Sequence, residues 1–196
     1  MNKLLSAALL AAALVSSAAA DAFLVLPATP DADAAAVADY IRTQARLDAA
    51  VLPPATVPED APTDIGSLAR AVIAANPVDP DLFAAAPCVI VVGSFGTEVS
   101  QGCYLPDDRI ALINLSRLAD DDPDGKLLRR AGQEALRITA MALDVPSCPF
   151  HLCVLYPCPS AARLDSMSGN YCPPCYVRIR DIAAARNLAL PENPED

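Results

Sequence analysis

The chain has 196 residues, a formal net charge of −10, seven cysteines, 19 prolines and one histidine. The acidic balance speaks against nucleic acid or an anionic membrane as a partner, since both repel a negative surface. Once a short leader is set aside, the length suits a single domain with one real core.

That leader is residues 1–20. Lys3 precedes an unbroken run of Leu, Ala, Val and Ser, and Ala18-Ala19-Ala20 supplies the small residues a signal peptidase needs. The pattern predicts a signal peptide cleaved after Ala20 and an exported chain, periplasmic or secreted, with one domain over residues 21–196. An uncleaved N-terminal anchor is the alternative, because the run is nearly long enough to span a bilayer. No cysteine follows the run, so no lipid anchor is expected there, and no later segment is apolar over a membrane's width.

Ala22 to Leu26 is a short apolar run, as in a buried strand. Asp31 or Asp33 can cap a helix carrying Val37, Tyr40, Ile41 and Ala45 on one face. Residues 49–52 form a second strand stopped by Pro53-Pro54, which predicts a right-handed strand–helix–strand crossover with parallel strands. A proline-rich loop follows. Thr63 or Asp64 then caps a helix facing inward through Ile65, Leu68, Val72 and Ile73, and Asn76-Pro77 ends it. Residues 88–92 and 109–115 are two more apolar strands, with a turn at Gly93 and Gly96 between them. Asp120-Asp121-Asp122 begins a polar turn, and a helix over residues 125–143 aligns Leu127, Leu128, Ala131, Ala135, Ile138 and Ala142. The elements predict an α/β domain of three or four short strands with helices and a cysteine-rich tail.

The tail carries the most informative spacing. Cys148 and Cys153 are separated by four residues, and Cys172-Pro173-Pro174-Cys175 follows after eighteen more. Two close pairs joined by such a loop suit a structural zinc site, because each tight turn offers two thiolates to a tetrahedral ion. Two disulfides are the alternative in an oxidising compartment, and four thiols allow three connectivities. Cys172 and Cys175 also fit the spacing of a redox pair, although nothing upstream resembles a thioredoxin-like unit. Cys88 and Cys103 flank a strand and its turn and can form a disulfide. Cys158 is left over.

This spacing resembles the C-terminal pattern of the archaemetzincins, a family of zinc metallopeptidases. Residues 23–27 look like that family's opening strand, Val51-Leu52-Pro53-Pro54 like its second strand and turn, and residues 109–118 like the segment before its active-site helix. The resemblance implies a metzincin-like single domain: a small mixed sheet, flanking helices and a C-terminal cysteine knuckle holding one structural zinc at Cys148, Cys153, Cys172 and Cys175.

The family's active helix carries His-Glu-x-x-His-x-x-Gly-x-x-His, with three histidines on the catalytic zinc and the Glu activating its water. In this chain Gln133, Arg137 and Leu143 stand at the histidine positions, and Ala140 stands at the glycine. A neutral amide binds zinc poorly, leucine cannot bind it, and a guanidinium repels it. Glu134 remains, without a metal-bound water to deprotonate. The lone His151, between Cys148 and Cys153, cannot rebuild a three-histidine site. The expectation is therefore an inactive relative, with a relic Glu134 and a cleft able to take a peptide or protein. Arg137 is expected to pair with a nearby acid, or to offer its charge to a carboxylate. A residual metallopeptidase using His151 and Glu134, and a disulfide-stapled or thiol-redox envelope protein, are the alternatives.

Overall fold

In a computed structural model of the chain, residues 21–96, 98–119, 125–157, 160–188 and 190 are described. The expected leader, the acidic turn at Asp120 to Asp124 and Cys158 lie outside them.

Strand β1 (Phe23–Pro27) starts the domain. Helix α1 (Ala34–Tyr40) follows, with the carboxylate of Asp33, not Asp31, accepting from Ala36 N at 2.9 Å. It runs into one π-helical turn, Ile41–Ala45, closed by Arg46 at φ 57. β2 (Ala49–Val51) pairs parallel with β1, as the crossover predicts. Asp64 caps α2 (Ile65–Ala75) by accepting from Ser67 N at 2.8 Å, and a short α3 (Pro80–Ala85) leads into β3 (Val89–Gly93), parallel to β1 on its other side.

β4 (Gly102–Leu105) and β5 (Ile110–Asn114) come next, followed by a single turn α4 (Leu115–Leu118). The long helix α5 (Leu127–Ala142), a short α6 (Ala161–Asp165) and α7 (Pro173–Ala185) complete the chain. The sheet has five strands in the order β2-β1-β3-β5-β4, all parallel except β4, which runs antiparallel to β5 with Gly102 opposite Ile113 and Leu105 opposite Ile110. This is the expected mixed sheet with one strand more. β4 escapes the sequence pattern because it is a short, half-buried edge strand with no clean alternation.

Both faces of the sheet are covered, so β1, β3 and β5 are apolar at nearly every position. Phe23, Val25, Ile90, Val92, Ala111 and Ile113 face α1, α5, α7 and the cysteine turn. Leu24, Leu26, Val89, Val91, Ile110 and Leu112 face α2 through Leu68, Ala69 and Val72. Burying each large aliphatic contributes about 1.5–3 kcal/mol. α1 meets α5 where the Tyr40 ring covers Gly132; a Cβ there would lie 2.4 Å from the ring.

The cysteine-rich tail, to which the sequence pattern assigned no secondary structure, contains a helix, α7. Cys172 caps α7, Pro173 and Pro174 occupy its first positions, and Ile179 and Ala183 pack into the core. Proline suits a first turn, whose N–H groups have no helical partner anyway. Beyond α7 the chain docks beside β2, where Asp48 N donates to Leu188 O at 2.9 Å and Leu190 N to Arg46 O at 3.0 Å. No helix among the described residues is long and apolar enough to cross a membrane.

Candidate metal centre

Cys148 and Cys153 sit on the turn after α5, held by Cys148 N donating to Leu155 O at 3.0 Å and Cys153 N donating to Phe150 O at 2.9 Å. Cys172 and Cys175 come from the first turn of α7. The four sulfurs lie within 4.8 Å of one another, and Cys148 Sγ is 3.7 Å from Cys172 Sγ. Sulfurs about 2.3 Å from a central zinc define a tetrahedron with edges of about 3.8 Å. Backbone amides point inward: Phe150 N donates to Cys148 Sγ at 3.4 Å and Cys172 N to Cys153 Sγ at 3.3 Å. The donor set and spacing can hold one metal ion.

The thiols are unequal. Burial pushes the Cys172 thiol up, but hydrogen bonds from Cys175, Cys153 and Cys148 outweigh it and hold Cys172 below the ordinary thiol range. Burial raises Cys153 and Cys175. One thiolate backed by reluctant neighbours is the arrangement a cation relieves, because a soft metal displaces the remaining protons.

The second candidate lies on α5, where a cleft of about 360 Å³ separates the helix from edge strand β4. Ser100, Gln101, Gly102, Tyr104, Glu134 and Arg137 are among its lining residues. Glu134 presses on the β4 backbone at Gly102; a Cβ there would stand 2.7 Å from Glu134 Oε1. Burial raises the Glu134 pKa, opposed by the Arg137 charge, whose Nε lies 3.3 Å from Glu134 Oε2. Arg137 Nη1 also donates to Val154 O at 3.0 Å and Tyr156 O at 2.5 Å. Its charge therefore pairs with Glu134 and tethers α5 to the cysteine turn.

Gln133 is fully buried, and its Nε2 donates to Leu164 O at 3.1 Å and Ser168 O at 3.0 Å. Leu143 is fully buried in the core. Among the described residues, three buried polar atoms have no hydrogen-bond partner: Gln133 Oε1, Glu134 Oε2 and Arg137 Nε. His151 is exposed on the cysteine turn, its ring 5.4 Å from that of Phe150. An amide tied to backbone, a committed guanidinium and a core leucine do not fit a catalytic zinc. Among the described residues, the four cysteines are the metal-competent cluster.

One expected pairing fails. Cys88 and Cys103 are both free thiols, on opposite faces of the sheet. Strand β5 stands between β3 and β4. Two strand spacings are about 9–10 Å, beyond the roughly 7 Å between Cα atoms that a disulfide tolerates.

Other supporting residues carry little sequence signal. Arg130 binds Asp165 bidentately, Nε to Oδ1 at 2.9 Å and Nη2 to Oδ2 at 2.7 Å, and gives Nη1 to Leu118 O at 2.6 Å. The buried Tyr171 hydroxyl donates to Leu136 O at 2.8 Å and lies 2.9 Å from Thr139 Oγ1. Asn114 accepts from Phe95 N and Ser116 N and donates to Gly96 O and Val99 O, fixing the loop before β4. Only Asn114 was foreseeable, as a capping residue between an apolar strand and a helix.

No family model matches the sequence, and no curated protein is similar to it. Solved structures are similar in fold. The archaemetzincin of Methanopyrus kandleri superposes with a TM-score of 0.63 at 19% identity, over 86% of this chain and 99% of that one. A zinc-dependent peptidase of Methanocorpusculum labreanum gives 0.60 at 15% identity, over 80% and 99%. The archaemetzincin of Archaeoglobus fulgidus, solved with malonate, gives 0.60 at 16%, over 80% and 98%. The chain is archaemetzincin-like: it has that fold, with a C-terminal cysteine cluster able to hold a metal ion.

Proposed function

We propose that this chain is an exported, catalytically inactive archaemetzincin-like protein. Its Cys148, Cys153, Cys172 and Cys175 hold one structural zinc, and its cleft receives a peptide or protein segment. The observation that carries the reading is the state of the positions where the resemblance expects catalytic histidines. Gln133 is bonded to two carbonyls, Arg137 to Glu134 and two carbonyls, and Leu143 is core. No imidazole stands at any of these positions: the Gln133 amide is held through its Nε2, Arg137 carries a fixed positive charge, and Leu143 has no donor.

Zinc bound by the cysteines would supply a cross-link, with no open position for substrate. The protein's own residues build the rest: amides on Cys148 and Cys153 sulfurs stabilise thiolate, and α7 anchors the second pair. In the cleft, β4 is a sheet edge, and an edge strand can accept an extended segment by backbone pairing. Arg137 is already paired, so it does not favour a carboxylate ligand.

The test is zinc per mole and peptidase activity of the purified protein, beside a free-thiol count. One zinc released together with about four thiols, and no proteolysis, is the expected result. EDTA-sensitive proteolysis abolished by Glu134→Ala would sink the reading, as would a second zinc lost in His151→Ala. The thiol-redox alternative has one observation in its favour: Cys172 and Cys175 open a true helix. It predicts a Cys172–Cys175 couple that cycles with a thiol buffer.

A further inference from the structure

The cysteine turn and the first turn of α7 form the walls of a groove of about 580 Å³, lined by Pro146, Pro149, Phe150, Pro173, Pro174 and Arg178 as well as Cys148, Cys172 and Cys175. Cys153 is fully buried, and its sulfur accepts from Cys172 N. The groove thus gives a small reagent a route to three of the four sulfurs. Two of those, Cys148 and Cys172, come from different walls and are 3.7 Å apart.

We propose that the cluster has two mutually exclusive closed states: one bridged by metal, the other by a Cys148–Cys172 disulfide. This inference rests on the reading of the cluster as a metal centre. The 3.7 Å separation is close to the roughly 3.8 Å edge of a zinc–sulfur tetrahedron. A disulfide needs about 2.05 Å. The sulfurs that span the metal are therefore also those placed to bond without it, after an approach of about 1.7 Å. Of the three connectivities open to four thiols, two join the walls, and the 3.7 Å approach favours the one that contains Cys148–Cys172.

The oxidant is a small disulfide such as glutathione disulfide. A cluster thiolate attacks one of its sulfurs, the S–S bond breaks, and one glutathione thiolate leaves. The second cluster thiolate attacks the cluster sulfur of the mixed disulfide, forming Cys148–Cys172 and releasing the other glutathione thiolate. Two electrons pass to the oxidant, and the two thiol protons go to the released thiolates. A disulfide sulfur is no longer a thiolate donor, so the cluster gives up its metal as the bond forms. In both states α7 stays tied to the turn after α5. A chain that crosses from a reducing to an oxidising compartment would keep its C-terminal end closed throughout.

The experiment compares zinc-loaded and chelator-stripped full-length protein, both reduced first and then held with glutathione disulfide. Non-reducing peptide mapping by mass spectrometry reads the pairing. The stripped sample should yield the Cys148–Cys172 linked peptide as its main product and melt about 5–10 °C above its reduced metal-free form. The zinc-loaded sample should oxidise at least tenfold more slowly. A main product linking Cys172 to Cys175, or Cys148 to Cys153, overturns the pairing. Equal oxidation rates with one zinc bound overturn mutual exclusion. A reduced protein that binds no zinc overturns the metal reading itself, and the peptide map still decides the pairing.

Discussion

The cysteine cluster and the α5 cleft are joined through Arg137, and they treat their polar groups in opposite ways. In the cluster, four thiols converge with few competing partners, so a soft cation is the natural occupant. In the cleft, Glu134 and Arg137 neutralise each other, Gln133 bonds to backbone and Leu143 joins the core. A metal site persists where the protein offers its donors no better partner. The α5 positions offer an amide held by its Nε2, a guanidinium and a core leucine instead, a set poorly suited to a cation. The link between the regions is Arg137, on α5 and bonded to carbonyls of the cysteine turn.

The largest effect should come from the cluster. Cys153→Ser, buried and facing α7, should reduce bound zinc from one per chain to none and lower the melting temperature by at least 10 °C. Plasma mass spectrometry and calorimetry measure both, and an unchanged zinc content would remove the contrast between the regions. Apparent zinc affinities near 10–16 kcal/mol in small structural sites set the scale of the loss.

Next comes the cleft's internal ion pair. Arg137→Met leaves Glu134 buried beside no cation and two carbonyls short of a donor, and should cost about 3–5 kcal/mol in denaturant unfolding. The paired replacement Glu134→Gln with Arg137→Met should recover about half of it. A double-mutant cycle with no coupling would show that the two side chains do not form a unit.

A pH effect sharpens the same point. Burial raises the folded pKa of Glu134 above its ordinary value of 4.5. Between 4.5 and that raised value the folded chain holds a proton the unfolded chain has released, so stability falls as pH rises through the window. Relative to wild type, Glu134→Gln should gain stability as pH climbs above 4.5 and level off once wild-type Glu134 is ionised. A difference that does not vary with pH would mean the carboxylate is not desolvated. The smallest effect is expected for Gly102→Ala, where the new Cβ meets the flexible end of Glu134. It should cost about 1 kcal/mol and shift the pH window, because Glu134 must move.

Much of the scaffold was legible because its signals are local. Asp33 and Asp64 cap helices as their positions predict, and Asn76 ends α2. The four-residue and two-residue cysteine spacings indicated a cluster that the fold then closes to within 4.8 Å. β4 was not legible, since a half-buried edge strand is defined by its partner β5. α7 was obscured by its own cysteines and prolines, although prolines at a first turn are themselves a start signal.

The sequence by itself determined the apolar core strands, the first parallel pair, the neighbourhoods of the two main helix caps, the four cysteines and the absence of histidines from the α5 segment, because each depends on residue type and short spacing. Only the tertiary structure decided the rest. It put Cys88 and Cys103 on opposite faces of one sheet, and it brought Val154 and Tyr156 carbonyls to Arg137 from 17 and 19 residues away. It also brought Cys172 Sγ to 3.7 Å from Cys148 Sγ across 24 residues of chain. These are distances between segments far apart along the chain, set by how helices pack on the sheet, and no local pattern encodes them.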